Sequence, residues 1–241
     1  MKITETPSPN FNERKLPVSI LVLHYTGMES GAAALDRLRE REAGVSAHYM
    51  VEEDGEVFRL VAEDKRAWHA GVSAWRGIAD VNSASVGIEI VNGGHEFGLP
   101  PFPEAQIEAV IALCRDVMGR HGIAARDVVG HSDIAPARKA DPGERFPWRR
   151  LAAAGVGLWP DPAGKDVAEL MRIGAIGDPV EALQLDLRAI GYALTVDGEF
   201  GLAMEAVVKA FQRRFRPEAI DGIVDGETAG LIARVKALAA G

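Results

Sequence analysis

Short apolar runs rich in β-branched residues, alternating with amphipathic helical patterns, constrain the fold of this chain more than any other feature of its sequence. The patterns predict a strand over residues 17–26, a helix over 30–44 ending at Gly44, a hairpin over 45–61, a strand over 84–92, a helix over 103–122 and a strand over 125–134. Because strands and helices alternate and one strand pair is a hairpin, the sequence predicts an α/β fold with a mixed central β-sheet flanked by helices.

A Pro-rich segment near residue 160 divides the chain. Residues 1–160 are expected to form one domain, residues 161–168 a linker, and residues 169–241 a small all-α domain. The last region contains an internal repeat. The segments VDGEFGLAMEAVVKAFQ from Val196 and IDGIVDGETAGLIARV from Ile220 each place an Asp-Gly turn before a helix. Two readings stay open for this region: a plain helical bundle, or a repeat-built binding module.

Composition excludes several function classes. The net charge is −8 and the pI about 5.3, which argues against a nucleic-acid-binding protein. The lone cysteine, Cys114, cannot form an internal disulfide and is expected to be a buried helix residue. No signal-peptide-like stretch and no segment long enough to span a bilayer occurs in the sequence, so we expect a cytoplasmic protein without membrane insertion, or a periplasmic one whose signal has been removed.

Two histidines and one aspartate lie in positions where functional sites concentrate. His24 and His131 each follow an apolar strand, and Asp141 lies in a Pro/Gly-rich loop. Two imidazoles and one carboxylate form a three-ligand set for zinc that leaves the fourth position open, which is the catalytic arrangement. Taken alone, each histidine could equally be a hydrogen-bonded core residue, so the interpretation depends on the three residues meeting in the fold.

Two charged residues could complete such a site. Glu89 is a carboxylate inside the apolar strand VGIEIV, and it could act as a general base or simply face water at a sheet edge. Lys139 precedes Asp141 by two residues and could stabilise an oxyanion, or could be an ordinary solvated lysine.

The sequence also suggests roles for the other histidines. His48 and Tyr49 point to opposite faces of their strand, and His48 is expected to be buried. His69 could either contact the substrate or have a structural role. His95 and His121 are expected to lie in an exposed loop or at a helix end.

These motifs together resemble the zinc amidases of the peptidoglycan-recognition/phage-lysozyme fold, the N-acetylmuramoyl-L-alanine amidases. The resemblance covers roughly residues 8–160 and rests on LVLHYTG, SAHYMVEEDGEVFRLV, RAWHAGVSAW, NSASVGIEIVN and GHSDIAPARKADPGERFPW, in that order. It implies zinc ligands at His24, His131 and Asp141, a catalytic acid/base at Glu89 and a catalytic lysine at Lys139. Substrate contacts are expected from residues within or beside these segments: Tyr49, Trp68, His69, Asn82 and Arg138.

The resemblance implies hydrolysis of the amide between N-acetylmuramic acid, or its anhydro form, and the L-alanine of the stem peptide. The C-terminal region resembles a three-helix peptidoglycan-binding domain. The missing leader favours a recycling enzyme acting on soluble anhydromuropeptides, whereas this second domain favours intact peptidoglycan as the partner. Two other classes stay open, a recognition protein that binds muropeptides without cleaving them and a wall anchor; for an amidase, removal of residues 165–241 is expected to leave cleavage of small muropeptides intact.

Overall fold

The computed structural model describes residues 2–164, 166 and 168–241. Its strands are β1 (Ile3–Glu5), β2 (Phe11–Glu13), β3 (Ile20–Tyr25), β4 (Tyr49–Val51), β5 (Val57–Arg59), β6 (Lys65–Ala67), β7 (Ser85–Ile90), β8 (Val128–Gly130), β9 (Glu169–Met171) and β10 (Val224–Asp225). Its α-helices are α1 (Gly31–Arg39), α2 (Val81–Ala84), α3 (Glu104–His121), α4 (His131–Ile134), α5 (Trp148–Ala153), α6 (Asp178–Ile190), α7 (Leu202–Phe215) and α8 (Gly226–Ala240). Short 3₁₀ turns cover Arg41–Ala43, His95–Phe97 and Ala125–Asp127.

The central sheet has the strand order β1-β5-β4-β7-β3-β8 and is mixed, as predicted. β4 and β5 form the expected antiparallel hairpin, while β3 pairs in parallel with both β7 and β8. Parallel pairing brings the carboxyl ends of β3, β7 and β8 to the same edge of the sheet, which is where polar loops of α/β proteins gather. His24 lies near the end of β3 and His131 directly follows β8, so the fold brings these two sequence-distant residues to one place.

Side-chain alternation along the strands decides which residues face the site. Leu21 and Leu23 of β3 pack with the buried side of α3, in a core cluster that also contains Ile88 and Tyr49. Residues of the opposite parity, including His24, point to the other face, because successive side chains of a strand alternate. The buried helix α3 therefore covers one face of the sheet, and the candidate site lies on the other.

Helix α3 ends where the sequence predicts, whereas α1 and α4 differ from the prediction. α3 ends at Gly122 as expected, with that glycine in the left-handed conformation at φ 66°. α1 ends earlier than predicted, because Glu40 is extended rather than helical and its carbonyl accepts the side-chain amide of Asn10 at 2.8 Å. The chain then makes a 3₁₀ turn before Gly44. The segment after β8, expected to run as strand into a loop, forms the short helix α4 instead.

The C-terminal helices share a hydrophobic core with the sheet. Ile20 and Val22 of β3 belong to the same buried cluster as Val208 and Phe211 of α7. This cluster lies on the sheet face opposite α3, beside the site. Cys114 is fully buried in α3, as expected. Among the helices of the described residues, none has the length and apolarity needed to cross a membrane.

Candidate active site

Three ligand atoms from distant parts of the chain converge in one buried cluster. His24 Nδ1 lies 2.9 Å from His131 Nδ1, and Asp141 Oδ2 lies 3.0 Å from each of the two nitrogens. All three side chains are buried. The backbone ties the loop to the helix, since the Ser132 amide donates to the Asp141 carbonyl at 2.9 Å. The structure therefore assembles the three residues that the sequence proposed as metal ligands.

The hydrogen bond made by His131 Nε2 determines which ring nitrogen of His131 carries the proton. His131 Nε2 lies 3.1 Å from the Ala70 carbonyl oxygen, which can only accept. The proton of a neutral His131 therefore resides on Nε2, assigned from the hydrogen-bond network. Its Nδ1 lone pair is then free to point at the centre of the cluster.

A chain of hydrogen bonds sets the proton of His24 in the same way. Ser85 Oγ donates to the Val81 carbonyl at 2.6 Å, so it serves as acceptor for His69 Nε2–H at 3.2 Å. A neutral His69 with its proton on Nε2 then offers Nδ1 as an acceptor to His24 Nε2–H, at 3.0 Å. This arrangement leaves the His24 Nδ1 lone pair facing His131 and Asp141.

The ionisation of the cluster suits a cation. Burial, with the neighbouring charge of His131, lowers the pKa of His24 to about 4, so this imidazole is neutral near pH 7. Burial alone would raise the pKa of Asp141, but the adjacent imidazoles outweigh it and hold that pKa well below its usual range. Burial also lowers the pKa of His69, with the charge of His24 acting in the same direction. Neutral imidazoles and an ionised carboxylate are the forms that bind a metal ion.

The size of the cluster also fits a metal ion. Two ligands of a tetrahedral ion bound at about 2.1 Å are roughly 3.4 Å apart, within about half an ångström of the 2.9 and 3.0 Å separations among the three atoms. Three converging acceptor atoms repel one another unless a cation lies between them. The donor set, its protonation and its dimensions therefore fit a divalent metal ion at His24, His131 and Asp141.

Glu89 lies beside this cluster on a central strand. It is the register partner of His24 across the β3–β7 pair, and β7 lies between β4 and β3. The alternative of a sheet-edge glutamate facing water is therefore wrong. Burial, followed by the charge of Asp141, raises the pKa of Glu89 well above its usual range, and Lys139 offsets this only in part. Within the described residues, the buried oxygen Oε2 has no hydrogen-bond partner.

A cavity of about 500 Å³ opens over the cluster, within the size range of small-molecule sites. It brings together most of the residues that the sequence proposed for the site, namely His24, Trp68, His69, Glu89, His131, Arg138, Lys139 and Asp141. Lys139 is exposed and faces this cavity. Arg138 donates to the carbonyl oxygens of Ala70 and Val72 at 2.8 and 2.7 Å, so it also clamps the two loops that form the cavity wall.

Two residues expected to contact substrate lie outside the cavity. Tyr49 is buried on the α3 side of the sheet, where its hydroxyl donates to Glu63 at 2.7 Å, because strand alternation turns it away from His24. Asn82 accepts the backbone amides of His69 and Ala70 at 3.0 and 2.8 Å and thus holds the loop rather than the substrate. His48 is fully buried and hydrogen-bonded, as expected.

Sequence reasoning missed a polar chain that begins with two residues lining the cavity, Tyr25 and His95. The Tyr25 hydroxyl lies 3.0 Å from His95 Nδ1, and His95 Nε2 lies 3.0 Å from Glu144. His95 is an exposed residue of a 3₁₀ turn, as expected, but it also lines the cavity. Tyr25 directly follows a candidate ligand, and that adjacency was the signal available in the sequence.

Comparison with known proteins agrees with this geometry. Residues 14–144 match the family model of N-acetylmuramoyl-L-alanine amidases, and residues 176–232 match a peptidoglycan-binding domain model. The N-acetylmuramoyl-L-alanine amidase AmiD of Escherichia coli K12 is 38% identical over 224 residues, which cover 88% of this chain and 79% of that protein. The 1,6-anhydro-N-acetylmuramyl-L-alanine amidase AmpD of Enterobacter cloacae is 43% identical over 109 residues, covering 45% of this chain and 56% of the relative.

Two solved structures match nearly the whole chain rather than its first part alone. The complex of Escherichia coli AmiD with anhydro-N-acetylmuramic acid-L-Ala-D-γ-Glu-L-Lys has a TM-score of 0.77 at 33% identity, and the match covers 94% of this chain and 96% of that one. AmpDh3 of Pseudomonas aeruginosa has a TM-score of 0.76 at 34% identity, covering 92% of each chain. The family match, the full-length relative and the converging site together establish that this protein belongs to the N-acetylmuramoyl-L-alanine amidase family and is a hydrolase of amide bonds.

Proposed function

We propose that this protein is a zinc-dependent amidase that cleaves the bond between the lactyl group of N-acetylmuramic acid, or its anhydro form, and the L-alanine of the stem peptide. The observation that carries the proposal is the buried cluster of His24 Nδ1, His131 Nδ1 and Asp141 Oδ2, each within 3.0 Å of the other two. One carboxylate and two imidazoles would hold a metal ion through three ligands and leave a fourth coordination position for water or substrate.

His24, His131 and Asp141 are the residues proposed to hold the zinc ion. Zinc is favoured because it accepts mixed nitrogen and oxygen ligands in a four-coordinate site. When bound, it would supply Lewis acidity, which lowers the pKa of water and polarises a carbonyl oxygen. The chain contributes the fixed orientation of the two imidazoles, through Ala70 on one side and His69 on the other.

Glu89 is proposed as the general base and acid. Its raised pKa and its unpartnered Oε2 suit a carboxylate that must take up a proton and release it again within one turnover. Glu89 accepts a proton from the attacking water as the water oxygen bonds to the amide carbon. It then delivers that proton to the nitrogen of L-alanine as the carbon–nitrogen bond breaks, which releases the lactyl carboxylate and the free stem peptide.

Lys139 is proposed to stabilise the negative charge that develops on the carbonyl oxygen during attack. Its ammonium group belongs to the same cavity wall as Asp141, two residues away. Arg138, Trp68 and His69 line the rest of this wall and are proposed to position the substrate. The cavity has room for a sugar and the first residues of a peptide.

For the substrate, we propose soluble anhydromuropeptides, with intact peptidoglycan as the second candidate. The first is supported by the likeness to AmiD solved with anhydro-N-acetylmuramic acid-L-Ala-D-γ-Glu-L-Lys and to AmpDh3 solved with an anhydromuramic pentapeptide. The second is supported by the peptidoglycan-binding domain model that matches residues 176–232. Recycling of soluble fragments corresponds to a cytoplasmic enzyme and cleavage of the wall to a periplasmic one, so the preferred substrate also bears on the compartment.

Product analysis by mass spectrometry tests the proposal. The protein is incubated with an anhydromuropeptide and, separately, with purified sacculi, each with and without a chelator. We expect release of free stem peptide that stops with the chelator and returns when zinc is added back, and we expect the Glu89→Gln variant to bind zinc without releasing peptide. A zinc-loaded protein that releases no peptide from either substrate would contradict the amidase and favour a recognition protein.

A further inference from the structure

A buried carboxylate supports the short helix that carries His131. Asp133 lies two residues after His131 in α4, and only 1% of its surface is exposed. Its Oδ2 accepts the backbone amide of Gly130 at 2.8 Å, which ties the helix to the end of β8. With four residues, α4 is too short to hold its own conformation, because isolated helices need several turns to be stable. The position of α4, and with it that of His131, therefore depends on the groups that hold Asp133 as well as on the contacts with the Ala70 and Asp141 carbonyls.

The other two hydrogen bonds to the Asp133 carboxylate come from the C-terminal region. Arg214 of α7 donates from Nη1 to Asp133 Oδ2 at 2.7 Å, and the Tyr192 hydroxyl, just after α6, donates to Oδ1 at 2.8 Å. Arg214 is 5% exposed and also donates to the Val128 carbonyl of β8 at 3.1 Å. Its guanidinium stacks on the Trp148 ring at 4.0 Å, so its position is set by packing as well as by charge.

Further contacts join Tyr192 and the end of α6 to the segment that contains Trp75 and Arg76. The Trp75 and Tyr192 rings meet edge to face at 5.3 Å between centroids. Arg76 donates its backbone amide to the Gly191 carbonyl at 2.8 Å and its side chain to the Ile190 carbonyl at 3.2 Å. These contacts fix Tyr192 against the loop that follows Ala70, whose carbonyl orients His131. Two independent paths therefore run from the C-terminal helices to the same imidazole.

We propose that the C-terminal helical region is part of the metal site, and that Arg214 and Tyr192 are positioning residues for His131 acting through Asp133. This inference rests on the proposed function of the His24, His131 and Asp141 cluster. A buried carboxylate that loses its hydrogen-bonded and charged partners is strongly destabilised where it lies, so it moves toward other partners. Any such movement displaces α4, and a ligand displaced by a fraction of an ångström binds its ion less well. The expectation that removal of residues 165–241 leaves small-substrate cleavage intact is replaced by the opposite one.

Point substitutions in the full-length protein test this without removing any helix. Arg214→Met keeps an unbranched side chain over Trp148 but loses the ion pair, and Tyr192→Phe removes one hydroxyl only. The matched control is Arg216→Met, because Arg216 is also buried and pairs with Asp225 of β10 at 2.8 Å, so both partners belong to the C-terminal region. Zinc dissociation constants are measured by competition with a chromophoric chelator, well below the Tm of each variant.

We expect zinc affinity to fall about 10- to 100-fold in Arg214→Met and about tenfold in Tyr192→Phe, the range known for groups that orient metal ligands. Arg216→Met should lower Tm while zinc affinity stays within about twofold of the parent, as expected for a buried pair remote from the metal. Because Tyr192→Phe is a mild change, it decides the matter if Arg214→Met does not fold. If folded Tyr192→Phe and Arg214→Met bind zinc with the parental affinity, this inference is overturned, whereas the proposed function is not. Absence of zinc binding by the parental protein would overturn the proposed function and this inference with it.

Discussion

The hydrogen bond between His24 and His69 allows a sharp prediction about metal affinity. His69→Phe preserves a buried ring of similar size but removes the acceptor that His24 Nε2–H uses at 3.0 Å. A cation on Nδ1 polarises the opposite N–H of the same imidazole, so this bond is stronger in the metal-bound protein than in the free one. Its loss should therefore weaken zinc binding and not merely lower the stability of the fold.

The magnitude follows from the two strengths of the bond. A neutral hydrogen bond contributes about 0.5–1.5 kcal/mol and one to a charged group about 1.5–3 kcal/mol. The difference, about 1 to 1.5 kcal/mol, corresponds to about 5- to 10-fold in affinity. The ring also loses the contact that fixes its orientation, which brings the expected loss to between about 10- and 100-fold.

Chelator competition measures this loss, and two further variants interpret it. His69→Gln can still present an acceptor oxygen to His24 and should recover most of the affinity. The control is His121→Phe, which removes a hydrogen-bonded histidine of α3 on the other face of the sheet, where it pairs with Glu63 at 2.6 Å. This variant should leave zinc affinity unchanged. If His69→Phe binds zinc within twofold of the parent, the hydrogen-bond chain has no role in orienting His24.

Three further outcomes are expected. Glu89→Gln should retain zinc while kcat falls about 10²- to 10⁴-fold in a peptide-release assay; a parental rate would remove Glu89 from the mechanism. Lys139→Met should lower kcat about 100-fold or more with zinc content unchanged, whereas a change confined to KM would indicate a binding role only. Burial alone would raise the pKa of Glu63, but hydrogen bonds from Arg120, His121 and Tyr49 lower it to about 2. The contribution of ionised Glu63 to stability is therefore complete above the unfolded pKa and is lost as pH falls from about 4.5 toward 2. The difference in unfolding free energy between the parent and Glu63→Gln should shrink across that interval. A constant difference would contradict the lowered pKa.

The sequence predicts that His24, His131 and Asp141 meet in one cluster, and the structure brings them together, because chemistry and topology coincide there. His24 and His131 follow apolar strands, and parallel pairing of β3 with β8 brings those strand ends together. The motif that contains Tyr49 predicts a substrate contact, but the alternation of the strand turns Tyr49 toward α3 and buries His48 on the site face.

The residues that support the ligands could not be predicted, because their partners are remote in the chain. Asp133 and Arg214 are separated by 81 positions, and nothing near either residue indicates the other. Ser85 looks like an ordinary strand residue until its contact with His69 is known. Residues of this kind act through packed neighbours, so their role appears only when the three-dimensional contacts are available.

The register of β3 and β7 separates two properties of this enzyme that could otherwise change together: the spacing of His24 and Glu89, and the lining of the cavity. His24 and Glu89 are partners on adjacent central strands, so their spacing is set by the backbone ladder of the sheet. Trp68, Arg138 and His95, in contrast, lie outside the sheet, on segments that tolerate insertion and substitution. Changes in these segments, by natural drift or by engineering, can therefore alter the lining of the cavity, while the spacing of His24 and Glu89 is inherited unaltered.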